Sequence, residues 1–258
     1  GFEAMRIGFQ GYYNSAVGVR ALAKTSTGTH NAAMGAYALY ENLDGNYNTA
    51  VGASALYANE AGSNNVAVGH QALSSNTTIA GPEGETSGEL NTAVGQEALR
   101  DNTTGSDNTA LGRAALRANT TASNNTAVGS NALLVNTTGA SNTAVGSLAG
   151  TSTTTGGNNT FLGQEAGRSN VTGTVNTFVG NGAGYNSTGG SNTAVGQTAL
   201  YATTTGVANV AIGGPHSGVL NPAMRFNTTG SYGTAIGTGA LASNTTASYN
   251  TALGYGSL

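Results

Sequence analysis

The sequence predicts an all-β chain, a parallel β-roll or β-solenoid of about 14 coils with a 17-residue repeat. Three observations point there. A motif reading roughly N-T-A-V-G-x-x-A-L-x-x-N-T-T-G-x-x recurs along nearly the whole chain. Its spacing is almost constant. The composition, with 41 Gly, 7% charged residues and no Trp, departs from that of an average globular chain.

The reference coil runs from Asn125 through Val128, Gly129 and Leu133, and starts again at Asn142, Val145 and Gly146. The opening asparagines are Asn14, Asn31, Asn48, Asn65, Asn91, Asn108, Asn125, Asn142, Asn159, Asn176, Asn192, Asn209 and Asn250, with Gly233 in the equivalent place. Their separations are 17 except for one of 26, one of 16 and one of 24. A unit of this length is too short for two-helix repeats, and its Gly, Thr and Asn disfavour helix. It offers two short extended pieces, N-T-A-V and x-A-L-x, parted by turns at residues such as Gly129 and Gly139. Coils stacked about 4.8 Å apart form a rod on the order of 65–70 Å long. Repeat positions then stand in ladders: Val51, Val94, Val128 and Val195 in one apolar column, Leu39, Leu56, Leu73, Leu99, Leu116, Leu133, Leu200 and Leu241 in another. Asn and Thr columns add hydrogen bonds between coils, and Gly suits turns with positive φ.

Such a core is thin. Two large apolar side chains per coil bring roughly 1.5–3 kcal/mol each, against about 1–2 kcal/mol of backbone entropy per ordered residue. Association with further copies is the expected source of the difference.

Two coils are swollen, and all three prolines fall in the swellings. The insertions lie near 79–90 and 214–227, and Pro in a laddered strand removes a donor, so both are expected to leave the stack as loops. Insertions in solenoids often form the binding face. Pro82, Glu83, Glu85 and Glu89 in the first, and Pro215, His216, Met224, Arg225 and Phe226 in the second, are the candidate contact residues. A third irregularity is internal: Gly150, Gly167 and Gly184 break the Leu column where Phe161 and Phe178 replace the usual Ala. That pattern predicts volume compensation inside one packed layer. Residues 1–13 read as a degenerate capping coil or the end of a preceding domain, and residues 14–258 as the repeat. Both termini read as cut points in a longer chain.

At Asn14-Ser15-Ala16-Val17-Gly18 and Asn108-Thr109-Ala110-Leu111-Gly112 the chain resembles the head repeats of trimeric autotransporter adhesins. The longer unit, with N-T-T-G in its second half, is similar to repeats in tail-fibre proteins of bacterial viruses. The resemblance covers about residues 14–258. It implies a homotrimer of left-handed parallel β-rolls, intertwined or side by side, outside the cell on a virion tail fibre or a bacterial surface. The function it implies is a structural and adhesive fibre segment that attaches to a host or another surface.

The residues themselves suggest no enzyme. His30, His70 and His216 are far apart in repeat order, and Glu83, Glu85 and Glu89 lack an aspartate-rich calcium loop, so no metal, cofactor or catalytic residue is assigned. The net charge of -3 has no basic stripe, which argues against nucleic acid. No apolar run is long enough to insert into a membrane. The absence of Cys excludes disulfides and thiolate metal sites. The N-T-T triplets at Asn76, Asn102, Asn119, Asn136, Asn227 and Asn244 match the glycosylation sequon but read first as turn and ladder residues. The expected partners are further copies of the chain and a surface glycan or other cell-surface receptor. Tyr37, Tyr40, Tyr57, Tyr185, Tyr201 and Tyr255 read first as scattered surface tyrosines, with stacking on sugars as the alternative. An ice-binding β-solenoid, using Thr columns such as Thr137-Thr138, is the alternative.

Overall fold

A computed structural model describes residue 4 and residues 11–77, 88–215 and 221–258. The chain divides into two compact units, Gly1–Ser130 and Asn131–Leu258. Unit 1 carries β1 (Ser15–Val17), β2 (Ala32–Met34), β3 (Thr49–Val51), β4 (Val66–Val68), β5 (Thr92–Val94), β6 (Thr109–Leu111) and β7 (Thr126–Val128). Unit 2 carries β8 (Thr143–Val145), β9 (Thr160–Leu162), β10 (Thr177–Val179), β11 (Thr193–Val195), β12 (Val210–Ile212), β13 (Thr234–Ile236) and β14 (Thr251–Leu253). In each unit every strand pairs in parallel with the next in sequence order, so both are β-solenoid stacks. Equivalent repeat positions face one another, as in Thr49↔Val66, Ala50↔Ala67 and Val51↔Val68.

A strand sends alternate side chains to opposite faces, and in a strand of three residues only the middle one turns inward. Ala50, Ala67, Ala93, Ala110 and Ala127 are fully buried, whereas Val51 is 37% exposed and Val94 and Val128 are half-buried. The Val column therefore exists but lies on the outer face. The apolar interior is built from strand Ala and from the Ala-Leu pair of the second half, such as Ala55 and Leu56.

That second half is not the strand expected for x-A-L-x. It is a chain of turns in which the Leu, and the residue two before it, take the left-handed conformation: Ser54 has φ 56° and Leu56 φ 50°. Left-handed backbone costs L-residues about 1–2 kcal/mol. It is held by bonds to both neighbouring coils, Ser54 N–H to Ala36 O at 2.9 Å and Leu56 N–H to Ala72 O at 3.0 Å. The Gly129 column has the positive φ expected of glycine: at Gly112 (φ 134°) a Cβ would also lie 2.6 Å from Gly129 O. Gly139 has no such φ, and Ala122 and Ala247 stand in its place in other coils. What that position contributes is its carbonyl, which accepts from the Asn136 and Asn142 amides.

Two buried asparagine ladders bind the coils. In the first, Asn48 Oδ1 accepts from the Asn65 backbone N–H at 3.0 Å and Asn48 Nδ2 donates to Gly62 O at 2.7 Å. In the second, Asn59 Nδ2 donates to Asn42 Oδ1 and to Gly62 O, both at 2.8 Å. The sequon residues Asn76, Asn102, Asn119, Asn136 and Asn227 belong to this second ladder and are fully buried, so the folded chain presents no glycan acceptor at these five.

Phe161 and Phe178 are fully buried and stack at 5.6 Å. A Cβ on Gly167 would lie 2.4 Å from Phe161 Cε1, one on Gly150 2.6 Å from Phe161 Cδ2, and one on Gly184 2.5 Å from Phe178 Cδ2. The two rings thus fill the space vacated by three leucines, as volume compensation requires.

Candidate functional site

The strands place one uniform surface on each unit. Their third positions carry Val17, Met34, Val51, Val68, Val94, Leu111 and Val128 on unit 1, and Val145, Leu162, Val179, Val195, Ile212, Ile236 and Leu253 on unit 2. Val17 is 59% exposed, Leu111 47% and Leu162 45%. No charged residue occupies an outward position of any of these strands. The first positions carry Thr in ten of the fourteen strands. Where small Ser15 and Ala32 stand instead, a notch of about 110 Å³ opens beside Val17, Met34 and Val51. A continuous aliphatic column exposed to water is what an interaction surface looks like.

The predicted contact residues separate into groups. Pro82, Glu83, Glu85 and His216 lie outside the described residues. Glu89 sits back in the stack, its backbone N–H donating to Ser106 Oγ at 3.2 Å. Met224 is corrected from a contact residue to a core residue. It is 1% exposed and occupies the Leu column, because the seven extra residues fall between Gly213 and Ala223, whose N–H bonds Gly213 O at 3.0 Å. Pro215 and Arg225 are half-buried, and Phe226 is exposed, with the Arg225 guanidinium 5.4 Å from its ring centroid.

Repeat spacing also gathers aromatic residues that look scattered in the sequence. On unit 1 His30 stacks on Tyr47 at 4.8 Å, and Tyr13 packs tilted against His30 at 4.9 Å. Tyr37, Tyr40 and Tyr57 form a cluster beside Lys24, and Tyr185 stacks on Tyr201 in unit 2. Several charged side chains on the surface pair with one another. Lys24 bonds Glu41 at 2.8 Å, and that bond pushes the Lys24 ammonium pKa up. The hydrogen bond from Arg100 to Asp101 likewise raises the guanidinium further, while Glu97 lies between Arg100 and Arg117 at 3.5 and 3.3 Å. Exposed pairs of this kind contribute little to stability.

Among the described residues no group of three or more His, Asp or Glu could hold a metal ion, and no helix is long and apolar enough to cross a membrane. The N-T-T hydroxyls act within the stack: Thr103 Oγ1 donates to Thr120 O at 2.9 Å and Thr137 Oγ1 to Thr154 O at 3.2 Å. Neither a family model nor a curated protein matches the chain.

Proposed function

We propose that the chain is a non-enzymatic segment of an extracellular attachment fibre, in which copies associate along the outer face of the strands. The observation that carries this reading is the charge-free aliphatic column repeated at every strand of both units. Most coils bury one strand Ala and one Ala-Leu pair as their apolar interior, so covering this column supplies apolar burial that the single chain lacks. The copy number of three, and the setting on a virion tail or bacterial surface, come from the resemblance of the N-[ST]-A-[VIL]-G units. Attachment would use side chains away from the strand face, multiplied by the number of copies. Light scattering on a size-exclusion column, before and after heating in detergent, tests it. A mass near three chains supports the reading, and a monomer at micromolar concentration overturns the association of copies along the strand face.

Ice binding is the second reading. The observation in its favour is now the Thr column of the strand face rather than the N-T-T pairs, whose first hydroxyls are engaged between coils. A monomer that produces freezing hysteresis would move this reading ahead.

A further inference from the structure

Three rings meet on unit 1. Tyr40 and Tyr57 stack at 5.3 Å and 17°, and Tyr37 closes edge-on against Tyr40 at 5.6 Å and 66°. Unit 2 repeats this arrangement with one ring missing. Tyr185 and Tyr201 hold the places of Tyr40 and Tyr57, each nine residues after its opening asparagine, and stack at 4.9 Å and 22°. The place of Tyr37, six residues after the opening asparagine, is taken by Gly182. Backbone geometry is the same at both, φ 59° at Tyr37 and 62° at Gly182.

Gly182 lies beside the ring pair of unit 2. A Cβ there would lie 3.9 Å from Tyr201 Cε2, 4.0 Å from Tyr185 Cδ2 and 3.3 Å from Thr198 Cγ2, so the ring pair borders the missing side chain. The glycine is itself covered by its neighbours, and a ligand would meet the rings rather than the backbone. Gln164, Asn181 and Gln197 occupy one repeat position in three successive coils, and all three are exposed. Asn181 Nδ2 donates to Gln164 Oε1 at 3.4 Å. Arg168 donates to the Tyr185 hydroxyl, lies 5.4 Å from that ring's centroid and pairs with Glu165 at 3.3 Å.

We propose that this patch binds a neutral saccharide. One sugar ring packs against the tyrosine pair where Tyr37 packs on unit 1, with its hydroxyls on the amide column. A sugar combines an apolar C–H face with hydroxyls that both donate and accept. Tyrosine offers an apolar body with a polar tip, and each amide offers two donors and an acceptor oxygen. A few polar groups around an apolar surface is the usual make-up of a small-ligand site. The Arg168–Glu165 pair cancels its own charge, which favours a neutral over an anionic sugar. Coils about 4.8 Å apart repeat the amides along the stack, giving successive sugars of one chain successive contacts. The proposal rests on the reading of the chain as an attachment segment and names what it attaches to.

The test applies the labelled 258-residue chain to an array of neutral, sialylated and sulfated oligosaccharides, followed by titration with any neutral oligosaccharide retained. Two variants accompany it. Gly182→Tyr copies Tyr37 and fills the site, and the double variant Asn181→Ala with Gln197→Ala removes exposed amides only. Binding to a neutral oligosaccharide, weakened about tenfold or more in both variants with unchanged thermal melting, is the expected result. No retention, retention of anionic glycans alone, or equal binding by the double variant overturns the proposal. Should Gly182→Tyr melt at a lower temperature, the double variant decides. Solution mass on the same samples separates the two readings: an oligomer without glycan binding defeats only this inference, and a glycan-binding monomer defeats only the assembly.

Discussion

Asn108 is fully buried, and each part of its amide is matched to a neighbouring coil. Its Oδ1 accepts from the Asn125 N–H at 3.0 Å and its Nδ2 donates to Ala122 O at 2.9 Å. Asn108→Ala leaves the Asn125 N–H without that acceptor in a dry interior. The expected loss is about 1–3 kcal/mol in chemical denaturation. Thr153 shows the reverse case. It stands in the second asparagine ladder, and its buried Oγ1 has no hydrogen-bond partner. Thr153→Asn would donate to Gly156 O three residues on, as Asn170 does to Gly173 O at 3.0 Å. A gain of about 1 kcal/mol is expected, and a lower denaturation midpoint would count against the ladder account. Both asparagine columns are legible in the 17-residue spacing. The defect at Thr153 is too, since a Thr there cannot supply the amide that the repeat requires.

At the scale of the coil, the Phe161 layer gives a coupled prediction. Phe161→Ala removes a buried ring at about 3–5 kcal/mol. Gly167→Leu forces a Cβ into the space of Phe161 Cε1 and overpacks the layer by about 1–3 kcal/mol or more. The double variant restores the Ala-Leu pair of ordinary coils, at a backbone φ that Leu adopts elsewhere, 50° at Leu56 against 60° at Gly167. Its destabilisation is expected to fall short of the sum of the singles by about 1–3 kcal/mol, and additivity would show that the residues do not share a layer. This compensation was legible in the sequence, because loss and gain of volume fall in neighbouring repeats. The conformation of x-A-L-x was not. Alternating apolar residues suit a strand, and only closure of a coil this narrow drives Leu into the left-handed region. The second insertion is legible in extent but not in register, so the spacing alone puts Met224 in a loop although it fills the Leu column.

At the scale of the whole molecule, the fibre reading depends on the strand face. Leu111→Lys together with Leu162→Lys puts a charge into the aliphatic column of each unit, at residues 47% and 45% exposed. Burying an unpaired charge in an interface is strongly unfavourable. The expected outcome is a solution mass reduced to one chain, with the circular dichroism of the folded stack retained. An unchanged oligomer would place the contact elsewhere. Aromatic clusters belong to this scale too. Tyr40 and Tyr57 are 17 residues apart and Tyr185 and Tyr201 are 16 apart, so their stacking could have been read from the repeat. The bare position at Gly182 emerges only when the two units are compared ring by ring.

The sequence by itself determined the coil length, the parallel pairing, the register and the coils that receive insertions. The reason is that each coil is hydrogen-bonded to a near copy of itself, so the period of the sequence is the register of the sheet. Tertiary structure alone decided which side of each strand faces inward. T-A-V holds an apolar residue on both faces, and the middle residue, Ala in most coils and Phe at Phe161 and Phe178, packs inside while the third residue stays on the outer face. It also decided that the second half is turn rather than strand. Both follow from the width of the closed coil, a dimension that the linear pattern does not contain.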